Sequence, residues 1–462
     1  MPYDAGKEAL AAAAPARYDM PHERQPVGRG IGMAPRVDKV TPSQWTGEGA
    51  DVVVVGGGII GCSTALFLAR RGISVALLEK SEIGCEQSSR NWGWCRAQGR
   101  DVREIPLILE SLRLWRSLDN EIGAVSGFAT CGTLNVLSTD RQIEDANRWL
   151  DKAKSYDVDC RMISSAEIAA LVPDHRGNWK EALHCPSDGR AEPGLAAPAI
   201  AAAAKRAGAR IHTGRAVVGI ELSGGAISGV AVEGGRISCS QVVIAGGAWS
   251  SALLRPLGIG LPQLPVIESV LRTTPVAGGP SVSIKGGGFS TRRRMDGGYT
   301  IGYGATMTGE IVADSFRFLS DFLPLMKDEW RTIRLHAGRR TFASMAGGGT
   351  AATPRAGLTL DPAPLKRDIT KAWRNLRQAL PQFRDARVAE EWAGLIDVTP
   401  DVVPVISRVE SVPGLTVSTG YSGHGFGIGL GAGRLTADLV ANDNPVVDAA
   451  PFRLSRFRTG RS

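Results

Sequence analysis

DVVVVGGGIIGCSTALFLARRGISVALLE, running from Asp51 to Glu79, is the stretch that decides the fold. Val52 to Val55 is a continuous apolar run, as a strand buried on both faces requires. Gly56, Gly58 and Gly61 follow at GxGxxG spacing and open a helical run that ends at Gly72, and Ile73 to Leu78 reads as a second buried strand. Strand, glycine turn, helix and strand together make a βαβ unit. The first glycine makes the tight turn, the second lets the backbone approach a pyrophosphate, and the third packs the helix on the sheet. Glu79 stands where an acid accepts hydrogen bonds from a ribose, and its charge repels the additional phosphate of NADP. These residues point to a bound dinucleotide and leave open which one.

Outward from this unit, helix and strand mix throughout. Residues 1–48 show neither a helical nor a strand period and read as an extension that is flexible or wraps the surface. A helix is expected at 103–119, a strand at 132–137, and a second βαβ-like passage from about 195 through 216–222 and 227–232 to 241–245. Residues 281–303 alternate as antiparallel strands do. Helices are expected at 313–337 and 366–380, strands at 402–406 and 415–418, and a closing helix from about 430 to 440.

The 462 residues suffice for two or three domains. Lys and Arg (54) exceed Asp and Glu (46), giving a net charge of +8, but the basic residues cluster at Arg292 to Arg294 and in the tail. No stripe of basic and aromatic residues is present, so nucleic-acid binding is not expected. Attraction of an anionic substrate or lipid surface is the milder reading. Seven cysteines, odd in number, scattered and without a CxxC pair, suggest neither a disulfide framework nor a metal site, and imply a reducing compartment. No secretory signal and no membrane-spanning run is read, so the expected location is the cytoplasm, with peripheral attachment to the inner membrane as the variant.

Towards the C-terminus come QVVIAGGAWS (241–250), WAGLIDVTPDVVPVI (392–406) and STGYSGHGFGIGLGAGRLTADLV (418–440). With GGGIIG, Glu79 and the Ser88-Ser-Arg-Asn91 loop, these segments resemble the FAD-dependent D-amino-acid oxidase family, which includes glycine and sarcosine oxidases and bacterial D-amino-acid dehydrogenases. The resemblance spans about residues 50–458. It implies an α/β fold, with a Rossmann-like FAD-binding domain of the glutathione-reductase type (49–130, 185–265 and 385–462). A mostly antiparallel substrate domain would occupy 131–184 and 266–384.

The resemblance places FAD against Gly56, Gly58, Ile59, Ile60, Gly61, Glu79 and Lys80. It runs Ser88, Ser89, Arg90, Asn91, Trp92 and Gly93 beside flavin and pyrophosphate, and puts the Val217 backbone at the adenine. Ala245, Gly246 and Trp249 lie near the pyrophosphate, Gly394 and Asp401 on the C-terminal segments, and Gly423, His424, Gly425, Phe426 and Gly427 at the isoalloxazine ring. A glycine turn opening a helix also presents free N–H groups and a positive dipole end, which favour the charge of a reduced flavin.

The implied reaction takes hydride from the carbon beside an amine nitrogen to flavin N5, and water hydrolyses the resulting imine. Where many relatives carry a carboxylate-binding Arg, this chain has Ile396 followed by Asp397. Arg96 is therefore the expected carboxylate partner, with Arg292 or Arg294 as alternatives; Arg96 reads equally as a solvated or pyrophosphate-binding residue. His424 reads either as a packing residue or as a substrate contact, Asp397 as a loop carboxylate or a partner for a second cationic group, and Tyr299 and Tyr303 as phenols that orient a carboxylate. Trp92, Trp94, Trp249 and Tyr421 are candidates for an apolar wall. The Cys and His that tether FAD in some relatives have no counterpart, Gly394 standing at the Cys position, so noncovalent FAD is expected. Thr300 stands at the place of an oxygen-activating Lys, with Lys285 near, so the electron acceptor is oxygen, a quinone or a partner protein. The second functional reading is an FAD-binding subunit of a heteromeric amine or opine dehydrogenase; homo- and hetero-oligomers both remain open.

Overall fold

The structure is a computed structural model and describes residues 35–347 and 355–457. A six-stranded sheet is ordered Val405–Arg408, Leu415–Thr419, Gln241–Ile244, Val52–Val55, Val75–Leu78, Arg210–His212. All its pairs are parallel except the first, which is antiparallel. The four valines of Val52–Val55 are all buried, which explains the unbroken apolar run.

Helix Ile59–Ala69 is apolar on every side and buried at every position, as expected for a helix enclosed by others. It packs against Gly425–Ala441 and Pro193–Arg206. The first of these contacts depends on small residues: a Cβ at Gly433 would lie 2.3 Å from the Ser63 Cβ, and one at Gly431 would lie 2.6 Å from the Leu107 carbonyl. The glycines of GIGLGAG thus let the closing helix settle against two neighbours. That burial explains why the helix starts at Gly425, ahead of the expected start near 430, despite the low helix propensity of its glycines.

A second, ten-stranded and mostly antiparallel sheet is built around Leu264–Thr273. That strand pairs with Val388–Val398 along one edge, and with Tyr299–Gly302 and Met307–Glu310 along the other. The outer strands include Thr133–Leu137, Glu181–Cys185 and Arg161–Ser164. The α/β fold class with a parallel dinucleotide-type sheet and an antiparallel second sheet is as expected.

Two expectations are corrected. The helix expected over 313–337 is two short helices, Ala313–Arg317 and Leu319–Glu329, followed by the strand Ile333–His336, which pairs parallel with Met307–Glu310. The helix breaks at Phe318, and the alternating Ile333-Arg-Leu-His336 prefers a sheet edge. The cysteines are not all unpaired: Cys160 and Cys185 form a disulfide with Cα atoms 4.1 Å apart. The register that sets Arg161 opposite His184 brings these two together, and cysteine spacing carries no trace of it. Within the expected extension, residues 1–34 lie outside the described residues, while 35–48 lie along the sheet edge without regular structure. Ser43 N–H donates to the Ile211 carbonyl, Val40 is buried, and Trp45 meets His212 edge to face. Covering an edge strand in this way blocks further pairing. Among the described residues no helix is long and apolar enough to cross a membrane.

Candidate active site

The parallel strands Val52–Val55, Val75–Leu78 and Gln241–Ile244 end at one cleft, where an α/β sheet binds its ligand. The cleft holds about 1160 Å³ of empty space, its open mouth included. Val217 and Arg215 line one part of it, and Leu395, Tyr421, Gly423, Gly425 and Phe426 another. Between them lie the glycine turn, Glu79, Ser88 and the segment from Ala245 to Trp249.

The turn is braced by its neighbours. Gly57 N–H donates to Glu79 Oε2 at 2.7 Å, Ser81 N–H donates to Glu79 Oε1 at 2.8 Å, and Ile59 N–H donates to Ser88 Oγ at 2.9 Å. Burial raises the Glu79 carboxyl above the ordinary carboxylate value against the pull of Lys80 and these N–H groups. Gly56 has φ +112°, and a Cβ there would lie 2.4 Å from the Ala245 carbonyl. No other residue fits.

Of the expected cofactor residues, Gly56, Gly58, Ile59, Ile60, Glu79, Lys80, Ser88, Asn91, Val217, Ala245, Gly246, Trp249, Gly423, Gly425 and Phe426 line this cleft. The others are placed differently. Gly61 packs the helix against the turn, since its Cβ would lie 2.0 Å from the Gly56 carbonyl. Ser89 bonds the Glu86 carbonyl, and buried Arg90 bonds the Ala393 carbonyl and Asp361. Gly93 makes room for Arg292, Gly394 for Gln87, and Gly427 for the Trp94 carbonyl. Trp92 covers Gly302 of the second sheet. Asp401 pairs with Arg103 and Arg456.

Sequence reasoning missed Cys85, Glu86, Gln87, Arg215, Leu253 and Thr419, all of which line the cleft. Glu86 is the clearest loss: it accepts from Lys80 Nζ at 2.7 Å, Trp249 Nε1 at 3.0 Å and Leu360 N–H at 2.9 Å. Its place directly before the Ser88 loop was the available signal.

The expected catalytic residues separate. Tyr299 is fully buried in the second sheet, stacks edge to face on Phe383, and spends its hydroxyl on the Pro280 carbonyl at 2.9 Å. It is a core residue and leaves the catalytic set. Tyr303 lies under Lys371. Arg292, fully buried, makes two bonds to Glu192, at 2.7 and 3.2 Å, and Arg294 also faces Glu192 at 3.7 Å. Neither remains available as the alternative carboxylate anchor. Asp397 lines the cleft but accepts from Gly420 N–H, Gln263 and Thr419, so it is satisfied inside the chain and is no partner for a second cation.

Arg96 and His424 come together near the loop before the closing helix. Burial, then Arg100, Arg96 and Lys285, hold the imidazole well below its ordinary value, so His424 is neutral. Its Nδ1 is buried without a hydrogen-bond partner, 4.0 Å from Glu104 Oε2. Arg100 fixes the corner by bonding the His424 carbonyl at 3.0 Å and Glu104 at 3.3 Å. Arg96 donates to the Gln98 carbonyl, and burial and Arg100 push it down to about 10.

A family description, FAD dependent oxidoreductase (DAO), matches residues 51–439. The chain belongs to this family. FAD is its cofactor and amino acids or amines are its substrate class. The DAO chain is 26% identical over 411 residues to glycine oxidase of Pseudomonas aeruginosa, covering 87% of this chain and 97% of that one. It is 26% identical over 419 residues to sarcosine oxidase subunit beta of an Arthrobacter species, covering 89% and 91%. The solved L-amino acid deaminase of Proteus myxofaciens, in complex with anthranilate, superposes with a TM-score of 0.85 at 30% identity, covering 92% and 97%. The site fits the cofactor. A glycine turn closed to any side chain, two helix starts at the cleft and a lining that includes both Val217 and Phe426 are what an extended dinucleotide needs.

Proposed function

We propose that this enzyme oxidises the C–N bond of an α-amino acid or N-substituted amino acid, with FAD held noncovalently between Val217 and Phe426. FAD supplies the hydride acceptor. The chain itself orients the substrate and excludes water, with Arg96 binding the carboxylate and the Gly423 to Phe426 loop taking the flavin end. The observation that carries this reading is the positive field at that loop, where Arg96, Arg100 and Lys285 all act on the neutral His424. An anionic carboxylate is the complement of such a field. A domain division at 49–130, 185–265 and 385–462 against 131–184 and 266–384 goes with this reading.

Anaerobic bleaching of the flavin's visible band tests it. Amino acids should bleach it and their decarboxylated amines should not; equal bleaching by both removes Arg96 from the role. Yellow colour released into the supernatant by acid precipitation checks the noncovalent attachment.

A second reading, a flavin subunit that hands electrons to a partner, is favoured by one observation. Phe316, Trp330, Leu335 and Phe342 are each more than 60% exposed within a single stretch of chain. The rate of recolouring in air separates the two, because a subunit that relays electrons recolours slowly without its partner.

A further inference from the structure

Glu268 lies in the middle of Leu264–Thr273, directly opposite Gly394 of Val388–Val398. Residues directly opposed on antiparallel strands share a face, so Val266 with Ile396, and Val270 with Trp392, lie on the face that carries Glu268. Two contacts show where that face turns. A Cβ at Gly394 would lie 2.4 Å from Gln87 Oε1, and Gln87 lines the FAD cleft. A Cβ at Gly423, in the loop at the flavin end, would lie 3.4 Å from Ile396 Cδ1. The face that carries Glu268 therefore borders the cleft through Gln87 and the Gly423 loop, while its Val266 end packs on Phe318 and Phe322.

Its surroundings are unusual for an acid. Glu268 has no hydrogen-bond or ion-pair partner among the described residues, and the only charge acting on it is that of Asp368. It is partly accessible, and burial followed by Asp368 pushes it up to about 8. Gln87 Oε1, on the same side, is buried and also unpartnered. A buried acceptor without a partner, as at Gln87 Oε1, is costly for a folded chain on its own and is satisfied by a ligand that brings donors, and Glu268 adds a carboxyl with no protein partner on the same side. An organic ammonium brings two or three N–H donors and the opposite charge.

We propose that Glu268, with Gln87 beside it, binds the positively charged nitrogen of the substrate. This rests on the amino-acid reading above. It also makes the site bipolar, with Arg96 as the pole for the carboxylate and Glu268 as the pole for the amine.

The test measures binding, through the perturbation of the flavin's visible spectrum in the holoenzyme under anaerobic conditions. The probes are glycine, sarcosine, the D- and L-forms of alanine, phenylalanine and arginine, and the α-keto acids pyruvate and phenylpyruvate. In Glu268→Gln the ammonium probes should bind about 10- to 150-fold more weakly, the range of a charged hydrogen bond, while the keto acids bind as before. The variant should melt no lower than the wild type, since it removes an unpaired acid. Glu268→Met gives the same comparison should the amide variant fail to fold. Equal weakening of both probe classes, no weakening, or no ammonium probe perturbing the wild-type flavin overturns the proposal. Ammonium probes that perturb without bleaching overturn the oxidation reading instead, and the variant comparison still decides the role of Glu268.

Discussion

Replacing Arg292 with Met separates a structural arginine from a substrate-binding one. The guanidinium is fully buried, its partner Glu192 nearly so, and their two bonds are joined by one from Met295 N–H to Glu192 at 2.9 Å. Removing the cation leaves the carboxylate with that N–H and Arg294 at 3.7 Å. Breaking one side of a buried ion pair costs about 3–5 kcal/mol. Unfolding entropy for 462 residues is about 1 kcal/mol/K, so the melting temperature should fall by about 3–5 °C. Adding Glu192→Leu should recover much of the loss, because an apolar pair replaces the ionic one at little cost.

The pH dependence follows from the same pair. Burial alone would raise the Glu192 carboxyl, but Arg292, with Arg294 and the Met295 N–H, outweighs it and the net shift is downward. The stabilisation is thus present above the ordinary carboxylate value and is lost in acid, as pH falls through the depressed one. Differential scanning fluorimetry of the single and double variants across pH checks both points. An unchanged melting temperature together with a large rise in substrate Kd would refute the ion-pair assignment and return Arg292 to the substrate.

Gly61→Val should yield colourless protein, since its Cβ would lie 2.0 Å from the Gly56 carbonyl, and the visible-to-ultraviolet absorbance ratio reads the loss. Arg96→Ala should raise KM for a carboxylate substrate by about 10-fold or more at unchanged flavin content; flavin loss would assign Arg96 to the cofactor instead. Asp188→Ala should cost about 3–5 kcal/mol, because it strands the N–H groups of Ala97 and Gln98 and the Thr133 hydroxyl, and urea melts measure it. Burial raises Asp188 to about 6 against those bonds, so its contribution to stability falls as pH rises from about 4 to 6 and is flat above; Asp188→Asn should flatten that slope.

Local pattern made one half of the site legible. Val52–Val55, the glycine turn, Ile59–Ala69 and Glu79 are contiguous, and each constrains the next. The second half depends on pairings between distant residues. Glu268 meets Gly394 through a ladder that joins segments more than a hundred residues apart, and a slip of one residue would turn the carboxylate to the other face. Arg292 finds Glu192 across a similar distance, which is why a run of three arginines looked like a free anion site. Tyr299 misled in the same way: alternation placed it on a strand but could not say which face is the core. At Phe318 the helical pattern continued past a break that tertiary pairing of Ile333–His336 imposes.

The distribution of charge around the flavin end argues for a zwitterion over a simple amine. On the helix side, burial first and then Arg100, Arg96 and Lys285 hold the His424 imidazole below its ordinary value, so these cations face the loop. On the sheet side, Glu268 and Gln87 present acceptors and no donor is bonded to them. A neutral or purely cationic substrate would satisfy only the second side and leave the arginines facing it, a repulsive arrangement in a poorly solvated pocket. A carboxylate without an amine would leave the Glu268 and Gln87 acceptors without a donor. A molecule carrying both groups on one carbon meets both poles at once, and its Cα is fixed between them; once the ammonium has given a proton to solvent, the free amine's lone pair can form C=N as hydride leaves that carbon.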